Sequence, residues 1–231
     1  MGILTLTELK AELRANLGNR TDLNDRLTTI LNLCQIRIAR PRAWAEFDSR
    51  QEATLASTGD AKADKFLALP TNTRSIFSVR MILGTSESRL LTRRTYKQFD
   101  KNIPEPQYYA RGKPTIYTVF KNSMELWKVP DDEYPITIRG TVWPTAFSDS
   151  LLSATSDLDH KDDMLVALAT SWAFQSLRQG DDAARWFGIF NAMYKDAVSE
   201  DNENPDLDLI PERQIITSPS AEYWLNPFIK G

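Results

Sequence analysis

Residues 115–142 read TIYTVFKNSMELWKVPDDEYPITIRGTV, and the period of their apolar side chains decides the fold class. Thr115–Phe120 alternates, Lys121-Asn122-Ser123 predicts a tight turn, and Met124–Val129 resumes the alternation. After Pro135, Ile136 and Ile138 face one way while Thr137 and Arg139 face the other, to the end of the run at Val142. Short alternating runs joined by turns predict antiparallel pairing. Upstream, Ser75–Leu83 (SIFSVRMIL) has the same character. Gly59–Asp64 (GDAKAD) reads as a solvated loop between two earlier strands. Thr92–Lys101 (TRRTYKQFDK) reads as a short helix or turn before the Pro104-Glu105-Pro106 break. Prolines keep these strands short, as a small sandwich requires.

Outward from this region the period becomes helical on both sides. Toward the N-terminus, Thr5 and Glu8 have capping-box spacing, Leu6, Leu9, Leu13 and Leu17 form a stripe, and Gly18 stands where a left-handed C-cap is wanted. Asp22 is positioned to cap a second helix with the stripe Leu23, Leu27, Ile30, Leu31, Cys34 and Ile38, which Pro41 ends. Toward the C-terminus, Ser156 and Asp157 offer a cap, Asp159, Asp162 and Asp163 fill the first turns, and Met164, Leu165, Leu168, Trp172 and Leu177 follow as an apolar face ending near Gly180. A further helix capped by Asp181 or Asp182 carries two aromatic rows, Phe187-Phe190-Tyr194 and Trp186-Ile189-Met193, an arc wide enough to predict burial on two sides. The fold class expected is α+β: a four-helix bundle built from both chain ends, an inserted antiparallel β domain, and an extended C-terminal tail. The corresponding boundaries are 1–42, 43–155, 156–200 and 201–231.

The composition narrows the function. The 231 residues hold 28 Lys plus Arg against 31 Asp plus Glu, a net charge of −3, so nothing resembles a bulk DNA-binding surface. A single cysteine, Cys34, lies on a helical stripe and reads as a buried apolar residue. One histidine, His160, excludes a His-rich zinc site. No apolar run is long enough to span a bilayer and the opening apolar patch is too short for a secretory leader. These features predict a protein made in a reducing cytoplasm, with no membrane partner.

Asp157, Asp159, His160, Asp162 and Asp163 form the densest polar cluster and would be the material for a divalent cation or acid/base chemistry. Their spacing fits neither an EF-hand loop nor the two-His helical zinc motif, and the helix dipole accounts for carboxylates at a helix start. Neither GxGxxG nor GxxxxGK[ST] occurs, and no Gly-x-Ser-x-Gly elbow accompanies His160. The sequence therefore predicts a protein that is not an enzyme and takes no cofactor. Arg89, Arg93, Arg94 and Lys97, with Tyr96 and Phe99 among them, are the candidate DNA or partner contact.

Glu200–Asp208 (EDNENPDLD) has only carboxylates as charged groups, and Pro211, Pro219 and Pro227 break any helix beyond it. The tail nevertheless carries Ile215, Ile216, Tyr223, Trp224, Leu225 and Phe228. Burying these side chains against one another does not offset the entropy of ordering the tail backbone, so they read as anchors for another surface.

The order of elements resembles the head-to-tail adaptor family of tailed bacteriophages, the neck proteins between portal ring and tail. The likeness is carried by the Leu6–Leu17 helix, the second helix ending CQIRIAR (34–40), Gly112-Lys113-Pro114, MELWKVP (124–130), YPITI (134–138), Trp143-Pro144 and the DHKD start (159–162) of a long helix. It spans about residues 5–200. The family pattern often has an aromatic where this chain has Gly140. The resemblance implies a structural virion protein in the neck, assembled in the host cytoplasm as a homo-oligomeric ring, usually of twelve. Its implied partners are the portal, tail or nozzle proteins, and DNA passing through the channel without sequence-specific binding. Two other readings stay open: a non-enzymatic protein-binding scaffold module using the β domain, and a metal-dependent hydrolase built on the acidic helix start.

Overall fold

A computed structural model describes residues 2–84 and 87–202. Helix α1 (Leu6–Asn16) opens with the expected capping box, Thr5 and Glu8 each accepting from the other's backbone N–H. It closes in a Schellman turn: Gly18 adopts φ +69° and donates to Ala15 O, and the Asn19 N–H reaches Arg14 O at 2.7 Å. Helix α2 (Leu27–Ala39) follows a short 3-10 turn at Asn24–Arg26. Asp22 does not cap it; its carboxylate is taken by Arg20, 2.8 Å away. The stripe from Leu23 to Ile38 is buried throughout.

Two four-stranded sheets follow. The first joins β1 (Asp48–Leu55), β8 (Tyr134–Val142), β3 (Thr73–Ile82) and β4 (Ser88–Leu90) in that spatial order; the second joins β2 (Phe66–Ala68), β7 (Ser123–Trp127), β6 (Ile116–Phe120) and β5 (Thr92–Arg93). Pairing is antiparallel except between β5 and β6, which run parallel. The exception arises because Thr92–Arg93 is reached by a strand crossing from the other sheet, while the long connection through α4 (Tyr96–Asn102) lets β6 return in the same direction. Leu55, Val79, Met81, Tyr117, Met124, Leu126, Ile136 and Ile138 fill the space between the sheets.

Gly59–Asp64 is a largely exposed connection between β1 and β2, as its composition predicts, but its last four residues form a helical turn, α3 (Ala61–Asp64), and Asp64 is only 3% exposed. The buried carboxylate accepts from the Thr58 N–H and hydroxyl and from the Gly59 N–H, and pairs with Arg111 at 3.0 Å. A short polar stretch cannot reveal this, because Arg111 arrives from 47 positions along the chain.

Helices α5 (Asp162–Ser176) and α6 (Gly180–Asn202) pack with α1 and α2 around a second core, which also takes in Trp44, Phe47, Phe147 and Leu158. The arc expected to be buried on two sides belongs to a different helix. In α6, Phe190 is buried but Phe187 is 44% exposed, whereas α5 is buried nearly all round. The reason is steric: Ala167, Ala169, Thr170, Ser171 and Ala173 let α1, α2 and α6 approach α5 closely, and the Ser171 hydroxyl donates to Ala183 O at 2.8 Å. The left-handed residue after α5 is Arg178, at φ +60°, rather than Gly180. Among the described residues no helix is long and apolar enough to cross a membrane.

Candidate functional site

The acidic start of α5 holds the beginning of the chain. Asp162 Oδ2 accepts from the Ile3 and Leu4 N–H groups at 2.6 and 2.8 Å, while the Gly2 N–H donates to Ser156 O and the Leu6 N–H to Ala154 O. Ser156 and Asp157, expected as caps, serve elsewhere. The Ser156 hydroxyl accepts from the Leu158 N–H at 3.1 Å and Asp157 from the Thr145 N–H at 2.6 Å, because the helix begins five residues later than the cap signature suggests. His160 is exposed beside Asp159, 3.5 Å away. Among the described residues no group of His, Cys, Asp and Glu side chains could hold a metal ion.

Trp44 marks the junction of three helix ends. Its indole N–H donates to Ile38 O at 3.1 Å, and its ring meets Tyr194 edge-on at 5.7 Å. Two cations lie over it, Arg42 at 5.6 Å and Lys161 at 5.1 Å. Each cation has a carboxylate: Arg42 Nε donates to Asp201 Oδ2 at 2.6 Å and Lys161 Nζ to Glu46 Oε1 at 2.8 Å. Burial and the Asp201 charge push the nearby Asp48 carboxyl above its usual value. The end of α6 is thereby fixed two residues ahead of Glu203. Beside it opens a cavity of about 640 Å³ whose charged lining is mostly acidic, including Asp159, Asp163, Asp196, Glu200 and Asp201. The predicted tail anchors Ile215, Ile216, Tyr223, Trp224, Leu225 and Phe228 lie outside the described residues.

The predicted basic contact is spread over three elements. Arg89 stands on β4, Arg93 ends β5 with Arg94 following it, and Lys97 is in the first turn of α4; all four are exposed. Arg93 turns inward, Nη1 donating to Ile76 O at 3.3 Å. Tyr96 belongs to this face and stacks on Phe120 with centroids 4.8 Å apart, while Phe99 points into the protein and is 2% exposed. Three residues apart, the two are neighbours on one helix face, but Tyr96 opens α4 and stays 44% exposed, whereas Phe99, nearly a turn further in, is covered. Lys121 lies over the Phe120 ring at 5.5 Å and joins the same surface from the β6–β7 turn, which no local sequence signal indicates.

No curated protein matches the chain. A family model described as the SU10 adaptor protein matches residues 4–208, which covers both helical ends and the whole β region. The chain therefore belongs to the SU10 adaptor protein family, whose members are structural head-to-tail adaptors of phage.

Proposed function

We propose that the chain assembles as a ring, usually of twelve in the family, that seats under the portal in the virion neck. There it joins the portal to tail or nozzle proteins and surrounds the channel through which DNA leaves. In this reading residues 1–42 and 156–200 form a four-helix bundle, 43–155 an inserted β domain, and 201–231 a tail that docks on the portal through Ile215, Ile216, Tyr223, Trp224, Leu225 and Phe228. Arg89, Arg93, Arg94 and Lys97 contact DNA or a partner. The ion pair of Asp201 with Arg42 is the observation that carries the reading, because it gives the following residues a fixed point of departure next to an acidic cavity. Exposed Leu33, Ile36 and Phe187 on the helices supply apolar area for a neighbouring subunit.

Truncation after Glu203 tests the tail. The shortened chain keeps the helical circular dichroism and melting transition of the full protein but no longer co-sediments with portal. Co-sedimentation equal to that of the full chain rejects the docking tail. Light scattering of the chain alone and mixed with portal reports the ring; a monomer in both samples rejects it.

A further inference from the structure

We infer that the notch between the two sheets binds a tetrahedral oxyanion of the phosphate class. Two turns form it. The connection from β2 to β3 closes through the Thr73 N–H to Pro70 O at 3.0 Å, and the β6–β7 turn is clipped to it by the Leu69 N–H to Asn122 O at 2.8 Å. The notch measures about 80 Å³. At ~10–15 Å³ for each water-sized atom, that is room for roughly five to eight, enough for a phosphate with its four oxygens.

The lining has the chemistry of an anion site. Arg74, Arg93 and Lys121 contribute three positive charges and Asn122 an amide, while none of the described lining residues is a carboxylate. Arg74 spends its guanidinium on the Ala39, Arg40 and Arg42 carbonyls and adds field only. Arg93 makes one hydrogen bond, to Ile76 O, and the Lys121 ammonium makes none and no ion pair among the described residues. Thr73 Oγ1 is buried in the same lining without a hydrogen-bond partner. Three like charges around one concavity repel, and a buried hydroxyl without a partner costs stability. A phosphate-type anion relieves both: it accepts from Thr73, pairs with the planar guanidinium of Arg93, and neutralises Lys121. Neither the ring nor the portal contact is needed for this site.

Calorimetric titration of the full chain with inorganic phosphate at constant ionic strength, with chloride as the control salt, tests the inference. Saturable binding is expected. Arg93→Gln, Lys121→Asn and Thr73→Val should each weaken it at least fivefold, and Lys62→Gln on α3 should leave it unchanged. Asparagine suits position 121 because the backbone there is left-handed, at φ +53°. A second arm adds a short DNA duplex. Displacement of phosphate by the duplex identifies the ligand as a backbone phosphodiester, and retention of phosphate identifies it as the free ion. Absence of saturable phosphate binding, or binding that the three variants leave intact while circular dichroism reports them folded, overturns the site.

Discussion

A methyl group on Gly140 would stand 2.0 Å from Ser75 O and 3.0 Å from the Ile76 Cα. No side chain fits there, so the close approach where β3 bulges against β8 requires glycine. Gly140→Ala is expected to lower the urea midpoint by the equivalent of about 1–3 kcal/mol, the usual cost of overpacking a sheet that must shift. Asp64 is the second decisive residue. Burial alone would raise its pKa, but hydrogen bonds from Thr58 and Gly59 together with Arg111 outweigh it and leave the carboxyl below its ordinary value. A carboxyl whose folded pKa is depressed contributes stability above its unfolded value near ~4 and loses it as pH falls through the folded one. Thermal midpoints between pH 7 and pH 2.5 should therefore drop more steeply below about pH 4 for the native chain than for Asp64→Ala. At pH 7 the variant should be less stable by roughly 3 kcal/mol, since Arg111 is left without its carboxylate.

Helix ends show how far local chemistry reaches at the scale of the element. Thr5, Glu8 and Gly18 bracket α1 by contacts within one turn, and all three do in the structure what their types and spacing predict. Thr5→Ala should cost about 1 kcal/mol in urea unfolding. The end of α5 was less legible. Its Schellman turn places Arg178 in the left-handed region, the Arg178 N–H donating to Gln175 O and the Gln179 N–H to Phe174 O, while the nearby glycine opens α6 instead. A non-glycine residue there bears a backbone cost of about 1 kcal/mol. Arg178→Gly is thus expected to raise the melting temperature, a gain reduced by the extra freedom glycine has in the unfolded chain. The start of α5 escapes a local reading as well: no side chain caps it, and the Asp162 carboxylate in its first turn accepts from the Ile3 and Leu4 N–H groups, more than 150 positions away.

At the scale of the whole molecule, two cores are bolted together by Arg74. From β3 it donates to the carbonyls of Ala39, Arg40 and Arg42 at the end of α2, and its guanidinium lies 4.9 Å from the Trp143 ring centroid. Charged hydrogen bonds of this kind are worth about 1.5–3 kcal/mol, so Arg74→Ala should split a single unfolding transition, followed by near- and far-ultraviolet circular dichroism, into two. The sequence by itself determined the period of each segment, hence the helix–strand–helix order, and the inward stripes of α1 and α2, because those depend on neighbours within a turn or a pleat. Tertiary structure alone decided which helix lies at the centre, which arginine joins the cores, the parallel pairing of β5 with β6, and the meeting of Arg93, Lys121 and Thr73 in one notch. Those features rest on contacts between residues tens of positions apart. Their partners are chosen by which surfaces can approach closely, a property that small residues such as Ala167 and Gly140 confer without leaving a hydrophobic signal in the chain.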